Sequence, residues 1–315
     1  MPKTELLNFK DPIAGQLQES CPVIRVRDLV AGGPPALALA ARDACRTQGF
    51  LLVEFETDQQ KAIQRTVASM RTFFACNNRI KSRVAIGDGR NGWTPSGQEP
   101  AYQPGTISNV ESFDVMSTLI AGENDAKWPE NAEFRHATID CWNSLFGLAG
   151  PLLELIANAL EIAPDFLRKN CSTRTLNTLR LLRYPPAPRA VNSSDVGIAA
   201  HTDFECISLL YQTAPGLELR DVNGRWLDAP TAPNRLVILL GDMLETWTNG
   251  YLQATGHRVR RTADERFSIV MFIAVNEGFR VEPLAQFVSG DRPAAYSATD
   301  QRAHTDAELA RARDR

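Results

Sequence analysis

The sequence predicts a mainly β protein, a barrel or sandwich buttressed by flanking helices, on three observations. Helical periodicity is concentrated in the first half, down to about Leu160. Beyond Cys171 it gives way to short apolar runs separated by turn residues. One pair of those runs flanks Asn223-Gly224, a strong two-residue hairpin signal. Short strands with turns between them, preceded by helices, suggest a β core with helices packed outside it.

The elements follow in order. Pro22 to Val26 reads as a short strand ahead of a Gly32–Pro35 turn. Leu37, Ala40, Ala41, Ala44 and Cys45 fall at helical spacing, with Pro35 suited to a first turn. Gly49 ends that helix, and Phe50 to Val53 is a buried strand. Ile63, Val67, Met70 and Phe74 form the dry stripe of an amphipathic helix whose wet face carries Lys61, Arg65 and Arg71. Between Ile80 and Asn131 periodicity fades and Gly, Pro, Asn and Ser become frequent, so part of this stretch is expected to be a flap over the active site. Trp93, Tyr102 and Phe113 are candidates to line its entrance, with ordinary packing as the alternative. Phe134–Leu148 and Leu152–Leu160 are helical, with a break or kink at Gly150-Pro151. Strands follow at Thr175–Tyr184 (ended by Pro185-Pro186), Cys206–Tyr211, Leu217–Val222, Arg225–Leu227, Leu236–Leu240 and Phe267–Val275. The charged tail, Asp300 to Arg315, reads as a frayed surface helix. With no repeat or linker, one domain is expected over 1–315. About 1–130 is its N-terminal region with the flap, about 131–285 the helices and β core, and about 286–315 the tail.

Composition narrows the function. The chain has 315 residues, 43% hydrophobic and 23% charged, with a net charge of −3. That balance offers no electrostatic case for nucleic acid or an anionic membrane. No apolar run approaches the ~18 residues of a membrane span. Met1 to Pro12 is polar and lacks a signal-peptide core, so the triplet Asn192-Ser193-Ser194 carries no glycosylation meaning. The six cysteines show no C-x-x-C pairing and read as reduced thiols in the cytoplasm.

The chemistry concentrates between His201 and Ser268. His201-Thr202-Asp203 precedes a buried strand, and His257 lies far downstream. Two imidazoles and a carboxylate are the donor set of the facial triad that holds non-haem Fe(II) and leaves other positions open. On an extended strand His201 and Asp203 leave the same face. His304-Thr305-Asp306 repeats the pattern, but with no later histidine and no apolar strand around it, and Asp306 reads as a helix cap. A zinc hydrolase is poorly supported, since no Glu base is positioned beside the set.

The order His201-x-Asp203, Gly241-Asp242, Trp247-x-Asn249-Gly250, His257-Arg258-Val259 and Arg266-x-Ser268 resembles the isopenicillin N synthase-like Fe(II)/2-oxoglutarate dioxygenases. Pro22-Val23-Ile24, Cys45 to Val53 and Arg180 to Pro186 are similar to further family segments, so the resemblance runs from about Pro22 to Val281. It implies a double-stranded β-helix (jelly roll) core with His201, Asp203 and His257 as iron ligands. It also implies that Arg266 and Ser268 bind the far carboxylate of 2-oxoglutarate, with Tyr184 adding a phenol hydrogen bond. A planar guanidinium suits that task, while an ion pair with Asp264 or Glu265 is the alternative for Arg266. Leu182 stands where many plant relatives carry Asn, which gives the pocket a drier wall.

Arg180 shares a strand face with Leu182 and Tyr184, so it could reach a substrate anion or sit in a structural ion pair. Phe204 is a candidate substrate contact, with core packing as the alternative. The implied reaction consumes O₂ and 2-oxoglutarate, releases succinate and CO₂, and hydroxylates a small molecule. A small carboxylate-bearing molecule, such as an amino acid or natural-product intermediate, is the expected substrate on the strength of Arg180, with nucleobases and other small ring systems left open. Desaturation and ring closure share the same chemistry. The competing readings are an oxidase of this family that needs no 2-oxoglutarate and a catalytically silent metal-binding protein with this fold.

Overall fold

The computed structural model describes residues 21–87, 90–99, 102–122, 127–187 and 195–313. The polar stretch from Met1 to Pro12 and the triplet Asn192-Ser193-Ser194 lie outside them.

Strand β1 (Val23–Arg25) leads into helix α1 (Pro35–Thr47), which starts on a proline where the missing N–H costs nothing. Strand β2 (Phe50–Glu54) precedes α2 (Thr57–Phe74), whose N-terminus is closed by a capping box between Glu56 and Gln59. Then come α3 (Asn78–Lys81), β3 (Gly92–Thr94), β4 (Ile107–Ser108), β5 (Glu111–Met116) and α4 (Ser117–Ala121). The long α5 (Ala132–Ala159) is capped by Asn131, and α6 (Phe166–Asn170) follows. The β-rich half begins with β6 (Thr178–Tyr184), β7 (Asp195–Val196), β8 (Ile198–His201) and β9 (Ile207–Gln212). It continues with the hairpin β10 (Leu217–Arg220) and β11 (Trp226–Asp228), then β12 (Arg235–Leu240), α7 (Asp242–Trp247), β13 (His257–Val259) and β14 (Arg266–Ile273). Helix α8 (Gln301–Arg313) is the last element.

The strands form an eight-stranded sheet, order β1-β2-β12-β9-β14-β6-β5-β3, and a four-stranded sheet, order β11-β10-β13-β8. The middle of the larger sheet is buried on both faces, which is why β2, β9, β12 and β14 read as nearly continuous apolar runs. Successive side chains alternate between faces. On β14, Phe267, Ile269, Met271 and Ile273 join a core with α1, α2 and α5, as do Leu179, Leu181, Leu209, Tyr211, Leu236 and Ile238 from neighbouring strands. The other face contributes Phe50, Leu52, Leu182, Tyr184, Leu210, Val237, Leu239 and Val270, packed against Ile198, Leu217, Leu219 and Val259 of the smaller sheet. The two sheets thus enclose a second core, and the site lies between them. This is the expected jelly-roll core with helices outside.

Three expectations need correcting. The stretch between Ile80 and Asn131 is not irregular throughout, since β5 is an inner strand of the large sheet paired with β3 and β6. Its charged residues disguised it: Glu111 is held by Lys81 and Arg183, and Asp114 by Arg180. Second, α5 runs unbroken through Pro151. Proline removes one N–H there, but Leu148, Ala149, Leu152 and Leu153 are all buried, and that packing outweighs a single lost bond. Third, α8 is no frayed helix, because its Gln301 and Ala312 are buried against the rest of the protein.

Candidate active site

His201 ends β8, Asp203 lies in the turn that follows, and His257 opens β13. Strands β8 and β13 pair antiparallel with His201 directly opposite His257, so a single register brings the two imidazoles together. One ligating atom from each of the three residues lies within 4.8 Å of the others. Asp203 Oδ1 is 3.9 Å from His201 Nε2 and 3.6 Å from His257 Nε2. Both Nδ1 atoms face backbone carbonyls, His201 to Ala199 O at 2.8 Å and His257 to Thr255 O at 3.0 Å. A proton held on Nδ1 by each carbonyl leaves both Nε2 lone pairs turned toward Asp203. Burial, and then the neighbouring His257, hold the His201 imidazole well below its usual range and therefore neutral.

Asp203 Oδ2 is buried and has no hydrogen-bond partner among the described residues. A buried carboxylate with one oxygen unsatisfied and the other, Oδ1, set against two imidazole nitrogens is costly unless a cation joins them. The donor set fits one divalent ion bound on one face, and among the described residues no other such cluster occurs. His304 and Asp306, the second copy of the motif, are not part of it.

Across the barrel, Arg266 opposes Tyr184 and Ser268 opposes Leu182 in the β14–β6 register. Arg266 is 1% exposed. Its Nε donates to Ala214 O at 3.1 Å and its Nη2 to Gln212 Oε1 at 2.9 Å. Nη1 of Arg266 and Oγ of Ser268 are buried and make no hydrogen bond within the described residues. The Tyr184 ring lies 4.6 Å from the guanidinium carbon. No carboxylate of the described residues pairs with this cation, since the nearby Glu265 binds Arg183 instead. Burial accordingly pulls the Arg266 pKa down, and it pushes the Tyr184 phenol up despite the adjacent guanidinium. The arrangement is a buried cation with a free N–H beside a free hydroxyl, the pattern that receives a carboxylate.

Arg180 takes the structural alternative. Its Nε and Nη2 donate to the two oxygens of Asp114, each at 2.8 Å, and its Nη1 donates to Glu99 Oε1 at 2.6 Å. Burial alone would strip its charge, but Asp114 and Glu99 overcome that and hold the proton on. A substrate anion would have to displace one of two carboxylates. Leu182 is buried on the inner face, and Phe204 is half-buried with its ring 6.5 Å from that of Tyr102.

Of the three aromatics proposed for an entrance, only Tyr102 reaches the site. Its ring stacks on His201, centroids 4.3 Å apart and planes within 10°. Phe113 is core, edge-on to Phe73, and Trp93 donates its indole N–H to Glu111. Sequence reasoning passed over Gln212, which no motif marks and which only the Ser268–Gln212 register brings to Arg266. It also passed over Glu205, whose carboxyl is pushed up to about 8 by burial and by Asp203. Glu205 lines a cavity of about 250 Å³ together with Thr118, Thr178, Gln301 and Thr305.

Comparison with known proteins bears on this geometry. The profile of the 2OG-Fe(II) oxygenase superfamily matches residues 175–275. The profile of the N-terminal region of non-haem dioxygenases of morphine synthesis matches residues 21–132. The 2-oxoglutarate-dependent dioxygenase citB of Monascus ruber is 29% identical over 266 residues, covering 77% of this chain and 80% of that one. Mugineic-acid 3-dioxygenase of Hordeum vulgare is 32% identical over 190 residues, 59% of this chain and 55% of that one. Among solved structures, a 2OG-Fe(II) oxygenase family protein of Caulobacter crescentus superposes with a TM-score of 0.80 at 28% identity, covering 93% of this chain and 100% of that one. A full-length Neurospora crassa protein solved in complex with alpha-KG and thymine gives a TM-score of 0.83 at 22% identity, over 94% of this chain and 98% of that one.

Proposed function

Since this chain belongs to the 2OG-Fe(II) oxygenase superfamily and is an Fe(II)- and 2-oxoglutarate-dependent dioxygenase, we propose that His201, Asp203 and His257 bind its iron and that Arg266, Ser268 and Tyr184 hold the far carboxylate of 2-oxoglutarate. The observation that carries this reading is Arg266, a buried guanidinium with an unused Nη1 beside the unused Ser268 hydroxyl and no carboxylate partner among the described residues. A buried cation without a counter-ion is expensive, and a cosubstrate carboxylate supplies the missing charge. When bound, iron and 2-oxoglutarate provide an oxidant from O₂, with succinate and CO₂ released and oxygen delivered to a C–H bond.

The residues divide the work. The Ala199 and Thr255 carbonyls keep the imidazoles oriented, with their Nε2 atoms free to ligate. Gln212 fixes the guanidinium, so that Nη1 meets one carboxylate oxygen while the Ser268 hydroxyl donates to the carboxylate. Leu182, Tyr102 and Phe204 form a dry wall that keeps water from the oxidising centre.

Hydroxylation of a small metabolite is the reaction assigned, with an amino acid, a nucleobase or a natural-product intermediate as the substrate class. The relatives support that scale, one being named for mugineic acid and one solved with thymine. Because Arg180 is already matched by two carboxylates, it is not assigned as the anchor of a substrate anion. All six cysteines are free, which fits a reducing compartment such as the cytoplasm.

The test is a turnover screen with Fe(II), 2-oxoglutarate and O₂ across amino acids, nucleobases and metabolite extracts, reading succinate and product together. One succinate per oxidised product is expected. Product without succinate would make the protein a 2-oxoglutarate-independent oxidase. Absence of any O₂ consumption across the panel would favour a silent metal-binding role.

A further inference from the structure

The turn that carries Asp203 is pinned through four consecutive carbonyls. Asp203 O accepts from Asp242 N at 2.9 Å, Glu205 O from Met243 N at 3.1 Å, and Cys206 O from Gly241 N at 2.9 Å. These donors sit where β12 passes into α7, and a Cβ on Gly241 would lie 2.1 Å from Glu205 O, so only glycine permits the approach. The fourth carbonyl is reached from the far end of the chain. Gln301 Nε2, at the start of α8, donates to Phe204 O at 3.0 Å. Gln301 is 2% exposed. Its Oε1 accepts from Val275 N at 3.1 Å, and its Nε2 also donates to Thr305 Oγ1 at 3.1 Å.

One turn along α8, His304 Nε2 meets Asp242 Oδ2 at 2.8 Å. Asp242, whose N–H holds the Asp203 carbonyl, is therefore itself held by α8. The His304 ring also packs edge-on to Phe204, centroids 6.1 Å apart. Asp306 pairs with Arg90. Every residue of the second His-Thr-Asp copy is thus in use, although none of them belongs to the metal cluster.

We propose that Gln301 and His304 are positioning residues for the metal centre, with α8 acting as a strap that fixes the angle at which Asp203 presents its carboxylate. The proposal rests on the reading of His201, Asp203 and His257 as metal ligands. Groups bonded directly to ligating side chains are worth about ten- to a hundred-fold in metal affinity, and Gln301 and His304 act one bond further back, through the backbone of the Asp203 turn. Without Gln301, the Phe204 carbonyl and the Val275 N–H are left buried and unsatisfied, and the turn can relax away from the two histidines. Without His304, the Asp242 side chain loses its hold from α8 and the contact behind Asp203 slackens.

The experiment measures Mn²⁺ binding to the metal-free full-length protein by calorimetry, for wild type, His304→Ala, His304→Gln, Gln301→Leu and His201→Ala. His304→Ala and Gln301→Leu are expected to bind more weakly by several-fold, up to about ten-fold, the lower end of the loss seen for direct ligand partners. His304→Gln, which keeps an N–H for Asp242, should recover most of the loss. The His304 side chain is 18% exposed, so His304→Ala decides the matter even if Gln301→Leu fails to fold. Wild-type affinity in folded His304→Ala overturns the proposal. So does a lowered melting temperature of the metal-free variants with Mn²⁺ affinity unchanged, the outcome of a role confined to anchoring the helix. Failure of the wild type to bind Mn²⁺, or full binding by His201→Ala, would instead sink the ligand assignment and the proposal with it.

Discussion

His257 stands directly opposite His201 across the β13–β8 pair, with ring centroids 4.2 Å apart and planes inclined by 50°. The two imidazoles on adjacent strands are fixed by hydrogen-bond register, whereas Asp203 depends on the turn beyond β8. Asp203→Ala is therefore expected to abolish stoichiometric iron binding while the β core persists. Metal analysis with far-UV circular dichroism checks both halves. Iron retained at one equivalent in a folded variant would contradict the triad.

Arg266 is a residue whose functional and stability roles should separate. A charge-assisted contact is worth roughly 1.5–3 kcal/mol, so Arg266→Met should raise the 2-oxoglutarate requirement by an order of magnitude or more. The methionine stem fills the same space without a buried uncompensated charge. Urea denaturation of the metal-free variant should therefore show stability equal to or above wild type. An unchanged 2-oxoglutarate requirement, with reduced stability, would make Arg266 a structural residue.

The clustering of His201, Asp203 and His257, and the placing of Arg266 and Ser268 on one strand, were legible because the identity and order of a few residues carry them. The large sheet was legible in part, since β9, β12 and β14 announce themselves as apolar runs. What stayed hidden depends on partners distant in sequence. Glu111 and Asp114 look like surface residues until Lys81, Arg183 and Arg180 are brought to them. Gln212 has no local mark and gains its role only from lying across from Ser268. The contacts of α8 with the Asp203 turn join residues 97 and 62 positions apart in the chain, and no periodicity encodes that.

Arg180 gives the converse of Arg266. Its guanidinium neutralises Asp114 and Glu99, both nearly buried. Arg180→Ala would leave two carboxylates without their cation, and breaking a buried pair costs about 3–5 kcal/mol. Chemical denaturation should show that loss. Lysine should restore only part of it, because it cannot match Asp114 bidentately. Stability within about 1 kcal/mol of wild type, combined with a specific rise in substrate KM, would return Arg180 to substrate binding.

The thiols offer a check on packing that is independent of the metal. Burial pushes Cys45 and Cys141 up to about 12, and Cys171 is raised by burial and by its neighbour Cys206. The thiolate is the reactive form and its fraction grows only as pH approaches the pKa, so these groups should stay silent toward a disulfide reagent at pH 8. The native protein should titrate at most Cys21 and Cys76, and all six cysteines after denaturation. Four or more reactive thiols in the native state would mean that the helical layer over the large sheet is open.

Tyr102 covers the outer face of His201 with its ring nearly parallel to the imidazole. Stacked rings contribute about 0.5–1.5 kcal/mol beyond the area they bury. Tyr102→Ala should therefore weaken Mn²⁺ binding by a few-fold to about ten-fold. It should also admit water and raise the succinate formed without product, since the wall beside the oxidising centre is gone. Tyr102→Phe keeps the ring and should match wild type in metal affinity. If phenylalanine and alanine are equally weak, the hydroxyl matters and the stacking account is wrong; if both match wild type, Tyr102 neither supports His201 nor shields it.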